Sequence, residues 1–269
     1  MHRNCARHIV RFLSSTAHRW LNEHVNDKWV KDAQKAGYRS RAAFKLLQLQ
    51  EADTLLKPGQ VVLDLGSAPG SWSQVARKLL GPTGKIIATD ILEMKSLPGV
   101  TFIQGDFLED FARGEIALAL NGSRADVILS DMAPNLSGNS IIDQGRAFNL
   151  VELAMFMCQS WLKTGGSFAC KVFQGEGYDE CLATMKEQFT SVKIRKPKAS
   201  RERSSELFLV GTGFIKDDSK ARDAGEVQNE AVGDWAIGDA PPSEESREAA
   251  GANTRKKKKL DDLMDGMLG

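Results

Sequence analysis

The sequence predicts an α/β fold in which a mostly parallel sheet carries helices on both faces. Three observations lead there. From Val61 to about Phe214, short apolar runs alternate with helical patterns, the arrangement of strands joined by crossover helices. One run, Val61 to Trp72 (VVLDLGSAPGSW), passes from a β-branched strand through a glycine-rich turn into a helix start. Acids stand at or near the ends of the first three strands, Asp64, Asp90 and Asp106, where open α/β sheets bind ligands.

The elements follow in order. Residues 1–22 carry Arg3, Arg7, Arg11 and Arg19 and no acid, with Ile9, Val10, Phe12 and Leu13 as a candidate apolar face. That composition is expected of a mitochondrial transit peptide. Residues 27–50 form a basic helical entry with Trp29, Tyr38 and Phe44 interleaved. Gly37 breaks it, and Ser40 is the expected cap of a second helix over about Arg41–Glu51. Strands follow at VVLDLG, KIIATD (Lys85–Asp90), VTFIQGDF (Val100–Phe107), DVILSD (Asp126–Asp131) and SFACKVF (Ser167–Phe173), with a long helix over about Ile142–Leu162. Two last strands, about Ser191–Arg195 and Glu206–Gly213, flank a short loop that permits antiparallel pairing. The α/β domain is thus expected to span 23–215. Residues 216–269 are polar, carry Pro241-Pro242 and a basic run Arg255–Lys259, and are expected to be disordered because they cannot offset their ordering entropy.

With 269 residues, 42% of them hydrophobic, the chain can bury one substantial core. No apolar run reaches the about 18 residues of a membrane span. Cys5, Cys158, Cys170 and Cys181 show no CxxC pairing, so they read as free thiols, with no metal site expected. The net charge of +1 hides an asymmetry: residues 216–269 hold 9 Lys and Arg against 13 Asp and Glu, leaving 27 against 22 in residues 1–215. A basic body favours a polyanionic partner.

The turn indicates its ligand. A dinucleotide site reads G-x-G-x-x-G and seats a diphosphate on the helix N-terminus. Here the spacing is Gly66-Ser-Ala-Pro69-Gly70, followed by Trp72, and Asp64 would repel a diphosphate. An acid there suits a ligand with cationic groups, such as the amino group and sulfonium of S-adenosyl-L-methionine. Asp90 is placed for ribose hydroxyls and Asp106 for adenine.

A second constellation carries chemistry. Lys171 lies inside an otherwise apolar strand, and an unpaired buried ammonium is costly. Asp131 on the neighbouring strand is a partner, and Lys45 and Glu206 can complete a square of two cations and two anions. Such a square either fixes packing as a buried ion-pair network or performs general-base chemistry. In the second case the lysine is tuned to take a proton from a weakly acidic hydroxyl, and the four groups titrate together.

The chain resembles the FtsJ/RrmJ family of ribosomal RNA 2′-O-ribose methyltransferases. The carriers are RSRAAFKL (Arg39–Leu46), DLGSAPGSWSQVA (Asp64–Ala76), GDF (Gly105–Phe107), SDMAPNLSG (Ser130–Gly138), GGSFACKVFQGEG (Gly165–Gly177) and SRERSSE (Ser200–Glu206). The resemblance implies a Rossmann-like methyltransferase sheet of seven strands with the last antiparallel. It implies a Lys-Asp-Lys-Glu catalytic set at Lys45, Asp131, Lys171 and Glu206. Donor contacts are implied at Gly70, Trp72, Asp90, Asp106 and Asp131, beside Asp64, Gly66 and Pro69 from the turn itself. The implied substrate is a uridine of the large-subunit peptidyl-transferase A loop, in mitochondria given the leader. The alternatives are tRNA or mRNA-cap ribose methylation, or ribosome assembly mainly by binding. Two basic clusters flank the expected site: Lys28–Arg41, and Lys193, Arg195, Lys196, Lys198, Arg201 and Arg203. They are expected to bind phosphates of the ribosomal RNA or pre-ribosomal particle, the enzyme acting as a monomer.

Overall fold

The computed structural model describes residues 27–215 apart from positions 136 and 202. The expected leader at 1–22 and tail at 216–269 lie outside the described residues. Among the described residues, two helices, α1 (Lys28–Lys35) and α2 (Ala43–Asp53), precede β1 (Val61–Leu65) and α3 (Ser71–Leu80). Then come β2 (Lys85–Asp90), β3 (Thr101–Gln104), α4 (Asp110–Leu120), β4 (Ala125–Ser130) and α5 (Ser140–Trp161). The described residues end with β5 (Leu162–Phe173), α6 (Tyr178–Gln188), β6 (Phe189–Arg195) and β7 (Glu206–Phe214). The sheet has seven strands in the order β3-β2-β1-β4-β5-β7-β6. Pairings through β5 are parallel; β7 runs antiparallel to both its neighbours. This is the expected sheet with an antiparallel last strand.

Strand alternation divides the core in two. Leu63, Ile87, Ile128, Phe168, Cys170 and Leu209 face a cluster built with α4, α5 and α6. Val62, Ile86, Val127, Ala169, Phe208 and Val210 face a second cluster that includes Leu46 of α2 and Trp72 and Val75 of α3. The alternation also sorts the charges. Lys171 shares the face of Ala169, and Glu206 that of Phe208, so both address the α2 side. Because β7 is antiparallel, its first residue lies beside Phe173 at the end of β5. A parallel last strand would have put Glu206 at the opposite edge.

Local details differ from the sequence expectation. The second helix starts at Ala43, and its N-cap is Ala42 with no side-chain cap. Ser40 Oγ instead accepts from Ala42 N–H at 3.2 Å and pairs with Ser71 Oγ at 2.7 Å, which joins the entry segment to α3. Strand β3 ends at Gln104, so Asp106 lies beyond it in a turn, accepting from Leu108 N–H. Strand β5 begins at Leu162, directly after α5, earlier than its apolar run predicts. Cys158, Cys170 and Cys181 are buried free thiols, as expected; Cys5 lies outside the described residues. No described helix is long and apolar enough to cross a membrane.

Candidate active site

The glycine turn sits at the carboxyl edge of β1. Gly66 and Ser67 donate their N–H groups to Thr89 O of β2. Gly70, at φ 104°, is the N-cap of α3, a backbone shape that strains any side chain. A Cβ there would lie 2.8 Å from Arg39 Nη1, 2.8 Å from Met94 Sδ and 2.9 Å from Leu97. The first N–H groups of a helix lack intrahelical partners, so α3 opens with amides directed at whatever occupies the edge. Trp72 is 2% exposed, and its ring packs on Phe208 and donates Nε1–H to Ala42 O at 2.9 Å, which leaves only its backbone for such an occupant.

The acids take three different positions. Asp90 at the end of β2 braces the turn, accepting Ala68 N–H at 2.8 Å and Leu92 N–H at 2.8 Å. Its remaining lone pairs can accept ligand hydroxyls. Asp106 is partly exposed past β3. Asp64 lies deeper, 1% exposed, behind the turn, and accepts Ser73 Oγ–H at 2.6 Å. Burial, with Asp131 and Asp90 nearby, pushes its carboxyl up to about 7. Asp64 therefore fixes the first turn of α3, and its distance from the surface makes it a support for a ligand site more than a wall of one. Carboxylates crowded to this degree attract a cation. The open helix start, the close approach at Gly70 and the acidic edge fit a ligand with hydroxyls and positive charge, as S-adenosyl-L-methionine has.

Beside the turn stands the charged square. Lys171 Nζ donates to Asp131 O at 2.6 Å and to Asp131 Oδ1 at 3.0 Å. Lys45 Nζ lies 2.8 Å from Glu206 Oε2 and 3.6 Å from Asp131 Oδ1, over the Phe208 ring at 5.6 Å. Ser200 Oγ donates to the other Glu206 oxygen at 2.6 Å. Burial pushes the Glu206 carboxyl up, but Lys45, Ser200 and Lys171 outweigh it and hold it below the usual range. The structure thus brings Lys45, Asp131, Lys171 and Glu206 together at the edge that holds Gly66, Pro69, Gly70 and Asp90. Ser200 and Ser73, which support Glu206 and Asp64, stand outside the residues that the sequence marks as the site. Ser200 lies inside the SRERSSE motif, but nothing in its spacing marks it as Glu206's partner.

Several residues expected to meet phosphates are committed elsewhere. Arg195 makes a fork on Asp53 at 2.8 and 2.7 Å, and Lys193 adds 3.2 Å. The Asp53 side chain is 1% exposed. Burial raises this carboxyl, and the two cations overcome that and leave it below its usual value. These residues bolt β6 to the end of α2. Arg41 pairs with Asp27 and reaches Ala199 O. Lys196 donates to Ser204 O and, at 2.9 Å, to Glu206 O. Arg39 is spent on backbone carbonyls. Charge runs in sequence overstate a phosphate surface because buried acids and carbonyls far along the chain compete for the same cations. Lys31, Lys35 and Lys198 stay exposed near the cluster ends.

Comparison with known proteins places this geometry. Residues 38–214 match the FtsJ-like methyltransferase family model. A Pseudomonas fluorescens protein named ribosomal RNA large subunit methyltransferase E is 53% identical over 201 residues, 75% of this chain and 96% of its own length. A Neisseria meningitidis protein of the same name is 56% identical over 202 residues, 75% and 97%. A crystal structure of a ribosomal RNA methyltransferase from Plasmodium falciparum superposes with a TM-score of 0.59 at 31% identity, covering 67% of this chain and 100% of that one.

Proposed function

The chain belongs to the FtsJ-like methyltransferase family, and from that premise we propose that it methylates a ribose 2′-hydroxyl of large-subunit ribosomal RNA. The donor is S-adenosyl-L-methionine, and the acceptor a uridine of the peptidyl-transferase A loop in mitochondria. The observation that carries the reading is the Lys45–Asp131–Lys171–Glu206 square standing beside the glycine turn. The substrate class rests on what the bacterial relatives are named for. The uridine rests on the family resemblance, and the compartment on the arginine-rich, acid-free residues 1–22.

Gly70, the first amides of α3, Asp90 and Asp106 would hold the donor, which when bound supplies an electrophilic methyl group on a sulfonium. The chain's residues do the rest. Asp131 fixes Lys171 through two oxygens, which leaves the amine one further direction for the ribose hydroxyl. Lys171 Nζ would take or steer the proton of the ribose hydroxyl. Lys45 and Glu206 hold the nucleotide and keep the charges paired. Holding reactants in line can contribute about 7–11 kcal/mol in good cases, so rigid placement by β5, β7 and α2 is the main catalytic device.

The test is a map of 2′-O-methylation in organellar and cytosolic RNA with and without the protein. Loss of one ribose methyl in mitochondrial large-subunit RNA is expected. A loss confined to tRNA, mRNA caps or cytosolic ribosomes would refute the proposed substrate.

A further inference from the structure

Arg39 lies between the entry helix and α2, six residues before Lys45. Its charge suggests a phosphate contact, but its geometry does not. Nη1 donates to Pro69 O at 2.7 Å and to Lys95 O at 2.7 Å, and Nη2 donates to Ser96 O at 2.9 Å. Pro69 belongs to the glycine turn, and Lys95 and Ser96 to the segment between β2 and β3. One guanidinium thus ties together two loops 26 residues apart in sequence. Its own backbone is anchored as well: Arg39 N–H donates to Gln74 Oε1 at 2.8 Å, and Gln74 Nε2 donates to Gly37 O at 3.0 Å.

Other contacts also join the two loops. Asp90 links Ala68 to Leu92 through its carboxylate. Met94 is buried against the turn, with its sulfur 3.8 Å from Ser67 Oγ and close over Gly70. Arg39 closes this ring from the far side. Arginine suits the task because its planar fork carries five donors in fixed directions, and lysine offers a single point charge on a flexible stem.

We propose that Arg39 is a latch: it positions the glycine turn and the Met94–Leu97 segment around the methyl donor and couples them to the segment carrying Lys45. It is a positioning residue for donor binding and makes no phosphate contact. The inference rests on the reading that this turn holds S-adenosyl-L-methionine.

The test uses the full chain, with Arg39→Lys and Arg39→Ala beside the wild type. S-adenosylhomocysteine affinity is measured by calorimetry, and kcat and the KM values for donor and RNA at several salt concentrations. Both variants are expected to bind S-adenosylhomocysteine about tenfold or more weakly, since charged hydrogen bonds to carbonyls are lost. The kcat at saturating donor falls by less than donor affinity does, because the latch also ties the segment carrying Lys45, and RNA KM and its salt dependence do not move. Arg39→Lys keeps the charge and the fold, so it decides the matter should Arg39→Ala fail to fold. Amides 94–97 of Arg39→Lys should also exchange hydrogen faster. Wild-type affinity in Arg39→Lys overturns the latch, as does a raised RNA KM with a shallower salt slope, which is the signature of a phosphate contact. A wild-type chain that binds no S-adenosylhomocysteine overturns the donor-site reading itself.

Discussion

Replacing Asp64 by Asn should make the protein more stable, and increasingly so as pH rises. Asp64 is 1% exposed and its carboxyl titrates at about 7, against 3.8 for the ordinary group. Burial is the main cause, and the neighbouring Asp131 and Asp90 add to it. The sign follows from proton counts. Between pH 4 and 7 the unfolded chain has lost this proton and the folded chain keeps it, so stability falls as pH rises. The full shift corresponds to about 4 kcal/mol, at up to about 1.4 kcal/mol per pH unit, a large part of a typical folding free energy of about 5–15 kcal/mol. Asn has the same shape, can still accept the Ser73 hydrogen bond, and carries no charge to bury. Urea unfolding of both proteins without ligand, from pH 4.5 to 8, measures the difference. It should be under about 1 kcal/mol at the acid end and about 4 kcal/mol at pH 8. A difference that does not change with pH would show that Asp64 is not the buried, neighbour-crowded acid described above.

The remaining predictions concern the charged groups around it. Lys171→Ala should abolish methyl transfer and leave S-adenosylhomocysteine affinity within about twofold, because the residue contacts Asp131 and not the glycine turn; full activity on ribosomal RNA would remove Lys171 from the chemistry. Arg195→Ala should cost about 1–3 kcal/mol in urea unfolding, because it leaves the Asp53 carboxylate buried with Lys193 alone. RNA KM should hardly change; weaker RNA binding at unchanged stability would return Arg195 to the phosphate surface. With Arg195 present, Asp53 sits below its usual pKa. Its contribution is therefore complete above about pH 4 and is lost as pH falls further, opposite in sign to Asp64.

Whatever depends on strand period and strand order could be read from the chain. The run VVLDLG, the lysine in SFACKVF and the acid after DVILS each mark a strand whose carboxyl end matters, since a side chain's face follows from its parity along the strand. Contacts that depend on hydrogen-bond competition across long separations could not be read. Arg195 and Asp53 are 142 positions apart, and Arg41 and Ala199 are 158 apart. No local pattern tells a lysine or arginine whether its partner is a phosphate or a buried acid. The same holds for Asp64, where the sequence shows an acid at a strand end but not that Ser73 and the α3 turn close over it.

These hidden contacts share a direction. Arg39 ties the entry segment to the glycine turn, Arg41 ties it to Ala199, and Arg195 ties β6 to the end of α2. Lys196 and Ser200 then hold Glu206 from the loop between β6 and β7. Each cation that leaves the phosphate surface thus fixes the position of α2 or of Glu206 relative to the sheet edge. Lys45 on α2 and Glu206 on β7 come from opposite ends of the fold, 161 positions apart, yet must meet at 2.8 Å. An in-line displacement tolerates little error in placement. A basic segment that spends arginines on carbonyls and buried acids gives up phosphate contacts and gains a rigid frame. The square of charges needs that frame more than a few added phosphate contacts, because a loosened Glu206 would leave Lys45 and Lys171 sharing the single carboxylate of Asp131.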